Sequence, residues 1–209
     1  NTLIYTVLGT LLNLAMTVCA AYPLSRKDFV PRNFFMGMFM FTMYFSGGLI
    51  PTYLVVVKLG ILDTIWAMIL PGAVSIFYVI IMRTYFQTSI PKTLYEAAEL
   101  DGANGIKKFF HITVPCISPT IEFNVIMSMI GAFQYFTQGM LLVSVGGNQI
   151  NGGPGNSLLF YNLYLYQNAF SYFKMGYACA LAVLLFLIVM VTTALTRKLS
   201  DRIVNYDVE

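Results

Sequence analysis

The chain has 209 residues, of which 58% are hydrophobic and 10% carry a charge, and its formal net charge is +3. Soluble domains carry roughly 25% charged residues, because water must solvate their surface, so this composition excludes an ordinary soluble domain. The mean hydropathy of +0.73 and the 14 Tyr and 17 Phe predict an all-α membrane protein with aromatic residues near both interfaces. The small net charge gives no indication of a nucleic-acid partner.

Five apolar stretches are long enough to cross a bilayer core, which takes roughly 20 residues of helix. Gly47, Gly48 and Pro51 interrupt the second stretch, where we expect a kink rather than a break, since neighbouring helices can satisfy the freed backbone groups. A sixth helix is expected upstream of Asn1, because five spans alone place the start of the chain outside. The predicted spans are about 3–24, 34–57, 64–84, 118–143 and 175–196.

Positive charge is concentrated on one side of this arrangement. Of the twelve Lys and Arg residues, only Lys58 and Lys174 fall on the other side. The positive-inside rule makes the richer side cytoplasmic, so a multi-pass protein with a cytoplasmic C-terminus is expected. The residues on that side are Arg26, Lys27, Arg32, Arg83, Lys92, Lys107, Lys108, Arg197, Lys198 and Arg202.

The longest cytoplasmic segment is the loop of residues 85–117. Pro91 suits the first turn of a helix, where its missing N–H costs little, and the residues after it follow helical spacing. The segment 102–105, GANG, predicts a turn, and a second short amphipathic helix follows before Pro115. The composition therefore predicts a helix-turn-helix against the membrane, which is either a loop resting on the headgroups or a docking element for a partner.

A motif within this loop resembles a known family. Glu96-Ala97-Ala98, then Gly102 three residues on, then Ile112-Thr113-Val114-Pro115 is similar to the EAA loop of binding-protein-dependent ABC importer permeases. That family's pattern is E-A-A, three residues, Gly, nine residues and I-x-L-P, so Val114 is the one departure. The resemblance implies a coupling helix pair seated in a cleft of a cytoplasmic ATPase subunit. The contact residues that it implies are Glu96, Ala97, Ala98, Gly102 and Pro115.

The likeness extends over almost the whole chain. The stretches NTLIYTVLGT, SGGLIPTYLVVVKLG, LDTIWAMILPGAVS and MGYACALAVLLF resemble the carbohydrate-uptake branch of this family, so residues 1–209 are interpreted as one MetI-like transmembrane domain. The resemblance implies the cytoplasmic membrane of a bacterium, an ATPase dimer, a second permease subunit in a heterodimer, and an extracytoplasmic solute-binding protein. No phosphate-binding G-x-x-x-x-G-K-[ST] motif occurs, so ATP is expected on the partner and no cofactor on this chain.

The two halves of the chain resemble different members of a permease pair. AYPLSRKDF and MRTYF, before about residue 90, are similar to one member. GAFQYFTQ, GGPGNSLLFYNLYLYQNAF and FKMGYA are more similar to the other. A natural mosaic, a divergent subclass and a built sequence all explain this pattern.

The fourth span contains a candidate substrate pathway. Its polar and small residues fall at i, i+4, i+7, i+11 and i+14, which is one stripe of a helix, and polar groups of this kind avoid lipid. The stripe fits a pore lining or interhelical packing equally well. Its members are Asn124, Ser128, Gly131, Tyr135 and Gln138. Tyr135 and Gln138, with nearby Phe133 and Gln134, are the expected sugar contacts, because rings and amides suit sugar faces and hydroxyls.

Three other features have ordinary interpretations. Glu122, close to the cytoplasmic end of the fourth span, is expected to snorkel or to pair with a loop lysine. The outer loop 144–174 indicates turns and an interfacial aromatic belt, and the resemblance implies that such a face meets the solute-binding protein. Cys19, Cys116 and Cys179 have neither metal-ligand spacing nor a disulfide pattern.

The sequence disfavours two other classes of membrane protein. An integral membrane enzyme is disfavoured, because His111 is the only histidine and no catalytic constellation surrounds it. An ion-coupled secondary transporter is expected to carry ionisable residues near the midplane. The predicted spans have none there, so this class is disfavoured.

Overall fold

The protein is described by a computed structural model covering residues 1–62, 64–90, 92–100, 102–145, 152, 156–201 and 204. These residues form helices and no strand, which confirms the all-α prediction. A 3-10 turn at Leu70–Gly72 follows α4, and wider π-type turns at Phe109–Thr113 and Gln167–Ser171 follow α7 and α11. The helices are α1 Thr2–Ser25, α2 Arg32–Tyr44, α3 Leu49–Lys58, α4 Trp66–Ile69, α5 Ile76–Thr88, α6 Lys92–Leu100, α7 Gly105–Lys108, α8 Val114–Cys116, α9 Ser118–Phe133, α10 Thr137–Val145, α11 Tyr161–Tyr166 and α12 Met175–Ser200.

Two of the described helices, α1 and α12, are each long and apolar enough to cross a membrane. They correspond to the first and last predicted spans. Up to five crossings result if each of three bent helix pairs counts as one span. The pairs are Arg32–Tyr44 with Leu49–Lys58, Trp66–Gly72 with Ile76–Thr88, and Phe109–Cys116 with Ser118–Phe133.

The kink expected in the second span is a break. Helix α2 ends at Tyr44 and α3 begins at Leu49, and Gly48 between them has φ +84° and ψ −179°. This left-handed φ is open to glycine and costly for other residues, and it cannot continue a helix. The prediction was wrong because a helical conformation was assumed on both sides of the glycine pair.

The described residues divide into two compact units. The first contains described residues of Asn1–Leu12, Gly47–Ala73 and Ile126–Thr196. Tyr5 packs edge-on against Phe160 with ring centroids 5.0 Å apart, and α4 contributes to the same core. The buried residues of this core are Tyr5, Met68, Ile69, Phe160 and Leu163.

Gly139 tests how tightly the first core is packed. A β-carbon at this position of α10 would lie 2.9 Å from Cδ2 of Phe160, whose side chain is buried. We expect Gly139→Ala to lower the Tm of the purified protein, because overpacking costs about 1–3 kcal/mol. The control is Gly37→Ala in α2, where a β-carbon meets nothing within 4 Å. An unchanged Tm in Gly139→Ala would show that the Phe160 ring moves aside freely.

The second unit contains described residues of Asn13–Ser46, Val74–Val125 and Arg197–Glu209. Its core joins the second half of α1 to α2 and α5, and Tyr95, Ile112 and Cys116 of the 85–117 loop pack against it. The loop is therefore part of a packed unit rather than an appendage. The buried core residues are Ala21, Leu24, Met36, Val79, Met82, Phe86, Ile90 and Ile117.

Candidate functional site

The predicted helix-turn-helix is present in the 85–117 loop. Helix α6 ends at Leu100 and α7 begins at Gly105, and Gly102 between them has φ +71°. The N–H of Ala103 donates to the carbonyl of Ala98 at 2.9 Å, which closes the end of α6. The side-chain oxygen of Asn104 accepts from the N–H of Gly105 at 2.7 Å. Gly102 therefore makes the turn, since its left-handed φ disfavours any residue with a β-carbon.

The residues of the motif lie on two faces of this helix pair. Glu96, Ala97 and Gly102 are exposed, whereas Ala98 is buried and Pro115 is half-buried. Leu100, which the sequence analysis did not select, is 90% exposed at the end of α6. Together with its exposed neighbours, Leu100 leaves this part of α6 and its turn uncovered by the rest of the described chain, as a helix that docks in a partner's groove requires. We call the exposed set Glu96, Ala97, Leu100 and Gly102 the docking face, after the role that the resemblance to the EAA loop implies.

The opposite side of α6 is fixed by an arginine between two tyrosines. The guanidinium carbon of Arg26 lies 4.5 Å from the ring centroid of Tyr95 and 5.0 Å from that of Tyr22. Arg26 also donates to the Tyr22 hydroxyl at 2.7 Å. Tyr22 belongs to α1 and Tyr95 to α6, so this stack joins the helix pair to α1.

Two further contacts extend this junction. The hydroxyls of Tyr95 and Thr113 hydrogen-bond to each other, which ties α6 to the π-type turn after α7. Phe109 packs edge-on against Tyr22 with ring centroids 5.0 Å apart. Helix α6 is therefore joined to α1 through the Arg26 stack, and the segment after α7 contacts α1 through Phe109. The Tyr95–Thr113 hydrogen bond joins the two halves to each other.

Arg26 keeps its charge in this setting. Burial opposes the charged form, but the hydrogen bond from Arg26 to Tyr22 and the nearby Tyr95 and Asp28 outweigh it and raise the pKa of Arg26. The stack is consequently a permanent cation–π contact over the whole physiological pH range.

The predicted polar stripe is not continuous. Asn124, Ser128 and Gly131 lie on α9, which ends at Phe133, whereas Tyr135 follows that end and Gln138 lies on α10. The helical spacing across residues 134–136 therefore does not place all five residues on one face. Asn124 is 1% exposed, Ser128 is half-buried and Gly131 is exposed.

Tyr135 and Gln138 have different surroundings in the first unit. A β-carbon on Gly9 or on Gly72 would lie 3.6 Å from the Tyr135 hydroxyl, so this hydroxyl packs close to two backbone segments that lack side chains. Gln138 lines a small cavity of about 30 Å³ with Thr52, Pro71 and their neighbours. Of the two, Gln138 has the open space beside it.

A stripe of buried polar residues along α1 is a feature that the sequence analysis missed. Thr6, Thr10, Asn13 and Thr17 recur at i, i+4, i+7 and i+11 of α1 and are all buried. The hydroxyls of Thr6, Thr10 and Thr17, and both polar atoms of the Asn124 side chain, have no hydrogen-bond partner among the described residues. Buried polar atoms are normally paired with protein or water, so these positions favour a hydrated interior. The spacing of this stripe was visible in the sequence, but threonines within an apolar run attract little attention.

The remaining candidates are accounted for separately. Glu122 is buried on α9 and takes part in an interaction, which disfavours snorkelling, while its pairing with a loop lysine stays a prediction. His111 is exposed, and its Nδ1 lies 3.2 Å from the Lys107 carbonyl oxygen. Within the described ranges, no three His, Cys, Asp or Glu side chains are grouped as a metal site.

The outer loop is more ordered than a chain of turns. Helix α11 and the following π-type turn occupy Tyr161–Ser171, and Leu163, Gln167, Asn168 and Ala169 are buried there. The N–H of Tyr161 donates to the Thr2 hydroxyl at 3.2 Å. The sequence analysis predicted turns and an aromatic belt for this loop and did not predict the helix, because aromatic residues are also typical of a membrane interface. Gly146, Gly147, Gly153, Pro154 and Gly155 lie outside the described residues.

Comparison with known proteins places the chain in a family. Residues 3–205 match the family described as binding-protein-dependent transport system inner membrane component. Because this match covers nearly the whole chain, the chain belongs to that family, as the EAA motif predicted, and it is an inner-membrane component.

Individual relatives agree with this assignment. The chain is 40% identical over 139 residues to Protein LplC of Bacillus subtilis, covering 66% of this chain and 47% of that one. It is 47% identical over 116 residues to the polygalacturonan/rhamnogalacturonan transport system permease protein YtcP of the same organism, covering 56% and 40%. The chain thus spans less than half the length of these curated relatives.

A solved structure has the same fold. The crystal structure of a bacterial ABC transporter involved in the import of the acidic polysaccharide alginate superposes with a TM-score of 0.78 at 27% sequence identity. The match covers 95% of this chain and 72% of that chain. The fold is therefore that of an ABC importer permease.

Proposed function

We propose that this chain is the permease subunit of a bacterial ATP-driven importer and forms part of the translocation pathway for a sugar or related polar solute. The observation that carries the proposal is the docking face, which leaves Leu100 and Ala97 exposed on a helix pair that the Arg26 stack joins to α1. An energy-coupling contact needs both properties, namely a surface for the partner and a firm attachment to the membrane helices.

The proposed partners follow from this role. A cytoplasmic ATPase dimer binds ATP and takes the docking face, a second permease subunit completes the pore as a heterodimer, and an extracytoplasmic solute-binding protein delivers the solute. The C-terminus is cytoplasmic in this arrangement, on the same side as the 85–117 loop. YtcP is described as a polygalacturonan/rhamnogalacturonan transport permease and the solved structure as an importer of alginate, which supports a carbohydrate as the solute class.

The proposed solute path includes buried polar groups that can still form hydrogen bonds. In the second unit, the unpartnered amide of Asn124 and the Thr17 hydroxyl offer hydrogen bonds to water or to sugar hydroxyls. Ser128, Gly131, Tyr135 and Gln138 remain candidates in this proposal. Family membership gives no support to the alternatives of an ion-coupled secondary transporter or a membrane enzyme.

Gln138 offers a separate test of the solute path. Gln138→Leu should reduce solute uptake while sparing assembly, because Leu141 and Leu142 already line the same cavity and an apolar side chain of similar size fits there. Tyr135→Leu combined with Gln138→Leu should reduce uptake further, with Tyr135→Phe as the matched control that keeps the ring. Normal uptake by the double variant would remove both residues from the pathway.

Assembly provides the direct test of the proposed function. The full chain, tagged and expressed in its native host, is purified from the membrane, and the copurifying proteins are identified. An ATPase and a second permease at defined stoichiometry are expected. Recovery of the chain without any nucleotide-binding subunit, under conditions that keep it folded, would contradict the proposal.

A further inference from the structure

A basic cavity lies beside the helix pair in the second unit. Its volume is about 610 Å³, and it is open to one side. The last turn of α1, the first turn of α2 and the last turns of α5 meet around it. The charged residues in its lining are four cations and two acids, namely Arg26, Lys27, Arg32, Arg83, Asp28 and Glu96.

Two of the four cations are already engaged in holding the fold. Arg83 donates through Nε to the Leu24 carbonyl at 3.0 Å, and Arg26 is stacked between two tyrosines. Gln87 similarly donates to the Ser25 carbonyl at 3.4 Å. These bonds satisfy carbonyls at the end of α1 that lack helical partners and hold the rim of the cavity in place.

The other two cations have donors to spare. Lys27 is exposed and Arg32 is half-buried, and neither side chain makes a hydrogen bond or ion pair with any described residue. A preformed cavity with a net positive lining and unused donors is suited to an anion, and an arginine binds phosphate oxygens in a bidentate manner.

An exposed apolar stripe on α2 beside the cavity indicates which kind of anion it binds. Helix α2, which Arg32 begins, exposes Phe34, Met38 and Phe41 at i, i+4 and i+7, so an apolar stripe runs from the cationic end of the helix. A ligand that fits both features is amphipathic, with a phosphate at the cavity and acyl chains along the stripe. Basic pockets at the cytoplasmic ends of membrane helices bind anionic headgroups in this way.

We propose that this cavity is a binding site for the headgroup of an anionic phospholipid, with Lys27 and Arg32 as its phosphate ligands. The inference rests on the proposed function only for its orientation, which puts the cavity in the cytoplasmic leaflet. Glu96 lines both the cavity and the docking face, so the bound headgroup lies next to the contact with the ATPase.

The test measures lipid binding to the intact assembly. The full chain with its copurifying subunits is delipidated in detergent and titrated with dioleoyl phosphatidylglycerol or dioleoyl phosphatidylcholine, and bound lipid is counted by native mass spectrometry. We expect a preference for phosphatidylglycerol. The combined Lys27→Gln and Arg32→Gln variant should bind it about 30-fold more weakly, given the usual attraction of two basic residues at an anionic surface.

Two controls keep the result interpretable. Lys58→Gln with Lys174→Gln removes the same charge elsewhere and should bind as the wild type does. Lys27→Arg with Arg32→Lys keeps the charge and should retain most of the binding. If the double Gln variant fails to fold, Lys27→Gln alone, at an exposed position, should still show a several-fold loss, and no loss would overturn the proposal.

Four other outcomes would contradict a phospholipid headgroup site. Equal affinity for the two lipids, or unchanged binding in a folded double Gln variant, would overturn the site. Displacement of phosphatidylglycerol by equimolar inorganic phosphate would assign the cavity to a soluble anion. Binding that appears only after the ATPase is removed would assign it to a protein interface. Because the assay includes no transport step, its failure leaves the proposed function standing.

Discussion

Replacing Leu100 by aspartate is expected to weaken binding of the ATPase subunit by about 30-fold. Leu100 is 90% exposed at the end of α6, so the substitution removes no internal contact and the chain should fold normally. In the proposed complex, burial of a leucine side chain contributes about 2 kcal/mol, which corresponds to that change in affinity. The measurement is the dissociation constant of the ATPase from the purified permease assembly.

Val30→Asp is the matched control for this experiment. Val30 is also 90% exposed, and it lies outside the docking face in the segment between α1 and α2. Gly102→Val supplies a second, independent change, because its φ of +71° disfavours a β-branched residue, whereas Gly105→Ala should be tolerated. Wild-type affinity in both Leu100→Asp and Gly102→Val would show that the ATPase does not bind at this face.

Replacing Tyr95 by leucine is expected to separate ATP hydrolysis from transport. Tyr95 carries the Arg26 stack and the hydrogen bond to Thr113, and it is not part of the docking face. The ATPase should therefore still bind and hydrolyse ATP, while movement of the helix pair reaches α1 less effectively. We expect several-fold less solute imported per ATP, because the cation–π contact and the hydrogen bond together contribute about 2 kcal/mol.

The conservative variant and a double-mutant cycle distinguish this role from general destabilisation. Tyr95→Phe keeps the ring under Arg26 and loses only the hydroxyl, so it should recover most of the coupling. The loss in Arg26→Ala with Tyr95→Leu should be smaller than the sum of the two single losses, since both changes remove the Arg26–Tyr95 contact. Strictly additive losses, or a fall in ATPase binding that parallels the fall in uptake, would contradict a linkage through Arg26 and Tyr95.

Local sequence signals were sufficient for the helix pair and its turn. Gly102 and the helical spacing of α6 are short-range features, and the motif around them is specific, so both the turn and the family were predictable. The Arg26–Tyr95 stack was not, because these residues are far apart in the chain and meet only when α1 and α6 pack in one unit. The exposure of Leu100 likewise depends on which face of α6 the rest of the unit covers.

Several features were missed where the local sequence carries no distinctive signal. The segment Gln134–Phe136 contains neither Gly nor Pro, so the spacing from Asn124 to Gln138 was extrapolated across the gap between α9 and α10. The aromatic residues of Tyr161–Ser171 suit an interface as well as a packed helix, and composition alone favoured the interface. The buried threonines of α1 were missed because a hydroxyl hardly changes the hydropathy of an apolar run.

Uptake by a reconstituted assembly tests the central claim most directly. Proteoliposomes containing this chain, its partner permease and the ATPase would be supplied with the solute-binding protein and a labelled oligosaccharide outside, and with ATP on the cytoplasmic face. Accumulation of the oligosaccharide that requires hydrolysable ATP, and that Leu100→Asp reduces while Val30→Asp does not, is the predicted result. Accumulation by the chain alone, without ATP or driven by an ion gradient, would contradict it.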